Sequence, residues 1–163
     1  MGASRLTLVG EVGVTHVGGL ESTDKARYGR DPVYGPGPLP NNRCATLNAG
    51  TLGSASGKNV SRYCENDGFV TSTSWGYRAR AIWEYPDVFA GVNLKPNLAW
   101  SHDVSGYGPN GLFNEGAKAV SLGLDAEYQN TYTASVAYTD FFGGKYNTLV
   151  DRDFLALSFG MNF

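Results

Sequence analysis

The stretch KAVSLGLDAEYQNTYTASVAYT, residues 118–139, decides the fold. Val120, Leu122, Leu124, Ala126 and Tyr128 recur at every second position, against Ser121, Asp125 and Glu127. After the short turn at Gln129-Asn130, Tyr132, Ala134, Val136 and Tyr138 oppose Thr133, Ser135 and Thr139. A period of two places one set of side chains on each side of a strand, whereas a helix would scatter them. The stretch therefore reads as two antiparallel strands with one apolar and one polar face.

The same rhythm extends in both directions. From Arg5 to Leu20, Leu6, Leu8, Gly10, Val12 and Val14 share one phase. From Phe69 to Tyr85 the phase is Phe69, Thr71, Thr73, Trp75, Tyr77, Ala79, Ala81, Trp83 and Tyr85, followed by an expected tight turn at Pro86-Asp87. Val88 to His102 continues it, and Pro96 suggests a bulge or a sheet edge there. The last segment alternates Leu155, Leu157, Phe159, Met161 and Phe163 with Ala156, Ser158, Gly160 and Asn162. Six strands are expected in all.

Composition agrees. The chain of 163 residues has 22 glycines, roughly twice the average share, with 10 tyrosines and 8 phenylalanines. Hydrophobic residues at 42% are too many for a disordered chain. No run approaches the roughly 18 apolar residues that a transmembrane helix needs. A net charge of −2 gives no electrostatic basis for binding nucleic acid.

The connections alternate long, short, long, short, long. Short turns at one end and long loops at the other are the pattern of outer-membrane barrels. Strands of about ten residues suffice to cross a bilayer at a tilt. Tyr77, Trp83, Tyr85, Trp100, Tyr128, Tyr132 and Tyr138 fall near strand ends, where interfacial girdles sit. Phe163 closes an alternating strand, and with Phe159 and Met161 it resembles the C-terminal signal used by the bacterial barrel-assembly machinery. The expected fold is all-β: an antiparallel up-and-down transmembrane β-barrel segment over 1–163, with a long external loop at about 21–68.

Residues 3–17, 28–38, 66–80, 93–111, 113–144 and 151–163 together resemble the C-terminal portion of the domain of unknown function 1302 family, Gram-negative outer-membrane proteins. NLKPNLAWSHDVSGYGP and the last strand from DRDF are the most specific pieces. The resemblance implies movement of hydrophobic compounds through the envelope, with no catalytic residues and no cofactor. Family members are longer and begin with a signal peptide, which MGASRLTLVGEVGV does not provide. The expectation is thus an open, six-stranded C-terminal piece of a larger barrel in the bacterial outer membrane. Its expected partners are outer-membrane lipid, the barrel-assembly machinery and the missing N-terminal strands. Known barrels of this kind have at least about eight strands, so six should leave two unpaired edges.

The polar phase holds Arg5, Glu11, Arg78, Arg80, Glu84, Lys95, Asp125 and Glu127, which should point into the lumen. Mixed signs on neighbouring strands suit cross-strand bracing, or a channel lining that selects solutes. Arg78 and Arg80 repel unless paired, and are candidates for an anion or for Glu11. Cys44 and Cys64 lie in the longest loop and enclose nineteen residues. One disulfide is expected, worth about 3 kcal/mol for such a loop, with free thiols the alternative. No metal site is expected, because no histidine is near these cysteines. His16 and His102 share the apolar phase while Ser101 takes the other, and no G-x-S-x-G occurs, so no hydrolase is expected. The functional expectation is a non-catalytic outer-membrane channel or envelope-transport component for hydrophobic or small solutes. A surface binding module built on the disulfide-closed loop, or a soluble β-barrel carrier with its apolar face inward, are the alternatives.

Overall fold

The computed structural model describes residues 2–44 and 64–162. Six strands follow in chain order: β1 (Arg5–His16), β2 (Thr73–Phe89), β3 (Val92–Ser105), β4 (Lys118–Tyr128), β5 (Tyr132–Phe142) and β6 (Phe154–Met161). Each pairs antiparallel with the next, giving one up-and-down sheet. β1 and β6 lie at opposite edges and the sheet is not closed into a barrel.

The register turns the sequence phases into two faces. Leu8, Ala81, Leu98, Leu122, Tyr138 and Leu155 form one row across all six strands. Val9, Arg80, Ala99, Ser121, Thr139 and Phe154 form the row beside it on the opposite face. A slip of one residue in any strand would exchange its faces, so the shared phase fixes the register. Among the described residues no protein layer covers the apolar face: Leu8 is 71% exposed, Leu157 64% and Phe159 84%.

The two tight turns account for the up-and-down path. Gln129 and Asn130 both adopt positive φ (52° and 54°), as do Ala90 and Gly91 (49° and 81°). Two consecutive left-handed residues make the hairpin turn whose twist matches that of the flanking strands. All three long connections emerge at the other end of the sheet, at 17–72, 106–117 and 143–153.

The structure moves several expected boundaries. β1 ends at His16 rather than Leu20: Val17 still donates to the Ser72 carbonyl, and the chain then turns at Gly18-Gly19. β2 begins at Thr73 rather than Phe69. The Val70 amide donates to the Tyr28 carbonyl and the Thr71 amide to the Tyr107 carbonyl, so these residues belong to the loops despite their alternation. Pro86-Asp87 is not the turn. The strand runs on to Phe89 with a register shift between Tyr85 and Phe89, and the Asp87 carboxylate accepts the Gly91 amide to brace the real turn. Pro96 sits in β3, an interior strand. No β2–β3 pair forms between Ile82↔Asn97 and Tyr85↔Leu94, where proline has no amide to donate. Phe163 lies outside the described residues; Phe159 and Met161 are exposed on β6.

The buried core is not in the sheet. Among the described residues, the buried hydrophobic side chains are Cys44, Phe69, Val70, Tyr107, Phe113 and Tyr146, all in the long connections. The open edges yield a prediction. In detergent, outward-pointing amides of β1 and β6 should exchange far faster than those of β3 and β4, and no heat-modifiable compact monomer should appear on gels. Protected amides in both edge strands of a monomer would show that the sheet closes.

Candidate functional site: the loop cluster and the polar face

The eight charged residues expected in a lumen do share one face, opposite the leucines. Arg5↔Glu84, Glu11↔Arg78 and Lys95↔Asp125 stand directly across from each other in register. The ion pairs that form are different ones. Arg78 reaches the Asp103 carboxylate at 3.2 Å, and Lys95 reaches Glu127 at 3.6 Å. Asp125 instead accepts the Asn97 side-chain amide at 3.2 Å, with Asn97 lying over the bare backbone of Gly123. Arg80 has no carboxylate within ion-pair distance among the described residues. Such half-exposed pairs contribute at most about 1 kcal/mol each, so they tune charge more than they hold the sheet. Hydroxyl contacts continue the face, from Thr139 to Ser121 at 3.0 Å and between Ser135 and Ser158 at 2.6 Å.

The three long connections converge above one end of this face. Arg30, only 9% exposed, is the centre of the cluster. Its guanidinium lies 4.1 Å from the Phe69 ring centroid and 5.4 Å from that of Tyr146. It donates to the backbone carbonyls of Glu65, Asp67 and Gly35. A desolvated cation between two rings contributes about 2 kcal/mol, and each carbonyl it satisfies avoids a desolvation penalty of about 1–3 kcal/mol. Tyr146 also donates its hydroxyl to Glu65 at 2.8 Å and meets Tyr107 and Tyr34 edge-on. Gly68, at φ +77°, lies flat against the Tyr146 ring, and any Cβ there would fall 2.6 Å from it. Lys145 pairs with Glu65 and with Asp67.

Asp103 joins the cluster to the sheet. One carboxylate oxygen takes Arg78, and the other accepts the Asn114 amide at 3.0 Å. Asn114 in turn donates to the Tyr146 carbonyl. Ser74, on the polar face of β2, is 1% exposed beneath these loops. A cleft of about 470 Å³ opens between the loops, lined by Asp31, Tyr107, Asn110, Asn114, Tyr146 and Asn147 among others. The Asn114 side-chain oxygen is buried without a hydrogen-bond partner among the described residues.

Cys44 and Cys64 form a disulfide, as expected, with Cα atoms 5.6 Å apart. It closes the base of a segment, 45–63, that lies outside the described residues. His16 shares a hydrogen bond with Thr73, and His102 lies edge-on to Tyr77 on the apolar face. Among the described residues, no group of His, Cys, Asp and Glu is placed to hold a metal. Arg30, Asp103, Tyr107, Asn114 and Tyr146 were not singled out by the sequence. The one local signal is an aromatic residue beside glycine in the first two long loops, at Tyr28-Gly29, Gly68-Phe69 and Tyr107-Gly108, where bare backbone lets a ring approach.

Titration of the cluster follows from its geometry. The hydrogen bond to Glu65 pushes Lys145 up, while burial pushes Tyr146 and Tyr107 up, with Glu65 reinforcing the shift at Tyr146. A group with a raised folded value stabilises the fold fully below its unfolded value, near 10.0 for tyrosine and 10.5 for lysine, and loses that contribution above it. The cluster should therefore be intact below pH about 10 and open as pH rises further. Near-ultraviolet circular dichroism of the tyrosines, with the far-ultraviolet strand signal as reference, should lose amplitude first on alkaline titration. Loss on acidification through pH 6 instead would place the controlling groups elsewhere.

No curated protein and no solved structure matches the chain. The family model described as "Protein of unknown function (DUF1302)" matches residues 1–163. The chain, with its six-stranded sheet, its bare apolar face and its loop cluster at one end, belongs to the DUF1302 family.

Proposed function

We propose that this sheet is a wall segment of an outer-membrane β-barrel, with lipid on the apolar face and a solute passage on the polar face. One observation carries the reading: an apolar face across six strands, whose charged members Lys118 and Asp140 lie toward its loop end, framed by aromatic side chains at both ends and covered by no protein among the described residues. At the turn end stand Tyr85, Phe89, Tyr128, Tyr132 and Phe159. At the loop end stand Trp75, Tyr77, Trp100, Tyr138 and Phe142, with Trp100 donating to the Tyr77 hydroxyl at 3.3 Å. Trp75 to Tyr85 is about 33 Å along β2 at roughly 3.3 Å per residue. Tilted by about 40°, that path spans about 25 Å, the height of the apolar band of such barrels.

The open edges support further strands beside β1 and β6. In hydrocarbon each unpaired backbone group costs several kcal/mol, so a wall in lipid requires its edges to be paired. The polar face then lines the interior, and its mixed charges suit small or amphipathic solutes passing without chemistry. The cleft of about 470 Å³ in the loop cluster supports a second reading, in which the loop end binds a ligand at the surface.

Spin labels test the orientation. In lipid vesicles, labels at Leu94 and Leu124 should be relaxed by oxygen and shielded from polar quenchers, whereas labels at Lys95 and Asp125 should respond to the polar quenchers. The opposite pattern would make the apolar face an interior and favour a soluble carrier.

A further inference from the structure

The connection between β3 and β4 does not stand away from the sheet. It folds across the polar face. Phe113, 7% exposed, rests on Gly13 of β1, where a Cβ would meet its Cζ at 3.0 Å. Gly13 is paired in register with Gly76 of β2, the one place among the described residues where two glycines face each other across neighbouring strands. Gly76 is bare for its own reason: a Cβ there would lie 2.6 Å from the His102 carbonyl oxygen, at the register shift of β2. The two missing side chains leave a seat for the ring. Beside it lies a small cavity of about 150 Å³, lined by Glu11, Gly13, Gly76, Arg78, Leu112 and Phe113.

The geometry points to Leu112 and Phe113 as an inward-turned lip that controls access of solutes to the Glu11 and Arg78 stretch of the polar face. The inference rests on the wall reading above and adds the place and chemistry of its narrowest point. The root of the lip is fixed. Gly108 donates to the Phe113 carbonyl at 2.9 Å, and the Asn114 amide is held by Asp103. The same Asp103 carboxylate takes Arg78, so the charge on the wall and the root of the lip share one anchor. The edge is free, with Leu112 57% exposed. A solute at this point meets apolar carbon on one side and charges of both signs on the other. That pairing admits small amphipathic molecules with a dipolar or zwitterionic end and opposes bulky ones.

Thiol reactivity in vesicles tests the lip, with the native cysteines held in their disulfide. A cysteine is placed by Glu11→Cys beneath the lip, by Lys95→Cys on the same face away from it, and by Leu94→Cys on the apolar face. A bulky water-soluble maleimide should react at the Glu11→Cys site about tenfold faster when Phe113→Ala is added, as expected for losing one aromatic contact. The Lys95→Cys rate should not change. Leu112→Ala, at an exposed position outside the buried cluster, and Gly13→Ala, whose Cβ would crowd the Phe113 ring from the wall side at 3.0 Å, should act in the same direction. Equal rates at the Glu11→Cys site in all these backgrounds would overturn the lip. A Leu94→Cys site as reactive as Lys95→Cys would instead overturn the wall reading, and the two failures are separately visible.

Discussion

A six-stranded ladder pairs the backbones of its four inner strands but leaves two edges open and, among the described residues, one apolar face with no protein to pack against. That is the constraint from which the rest of this structure follows. In water, a sheet of this size hides one face under a helix or a second sheet. Among the described residues neither layer is present, and Leu8, Leu122, Leu155, Leu157 and Phe159 stand bare on one surface. The apolar row is continuous from β1 to β6, so a single covering medium satisfies all of it. Lipid does that without needing shape complementarity. The requirement it adds is that no strand edge stays unpaired.

The polar face and the loops form the other half of the account. Ion pairs on the face are diagonal and half-exposed, and they contribute little stability. The buried contacts are concentrated where the long connections meet, around Arg30, Phe69, Tyr107 and Tyr146. Asp103 ties the two regions together by holding Arg78 of the wall and Asn114 of the loop. The loop cluster is anchored by these buried contacts, whereas the edge of the β3–β4 connection at Leu112 is exposed.

Much of the sheet was legible because its signal is local. Lys118–Tyr128 was read to the residue, since Val120, Leu122, Leu124, Ala126 and Tyr128 keep the two-residue period and the turn beyond it is short. The disulfide was legible from two cysteines in one loop. Boundaries failed where a rhythm outlasted its partner. Phe69 and Val70 alternate in sequence, yet Val70 pairs with Tyr28 and Thr71 with Tyr107. Pro86-Asp87 has turn chemistry but occupies a bulge, because the left-handed pair is Ala90-Gly91. Arg78 was a candidate to pair with Glu11 or an anion; it does stand across from Glu11, but its ion pair is with Asp103. Its partner Asp103 was hidden because β3 runs three residues beyond the expected His102 end, to Ser105. The cluster around Arg30 depends on residues brought from three separate loops, and no period in the chain encodes that.

All three tryptophans, Trp75, Trp83 and Trp100, fall on the apolar face, with Trp83 across from Leu6, Trp75 across from Val14 and Trp100 across from Val120. Their native fluorescence therefore tests the central claim without any substitution. In vesicles of lipids brominated at defined depths, the emission should be quenched by the bromines and protected from aqueous iodide. Strong iodide quenching with no response to brominated chains would contradict a lipid-facing wall.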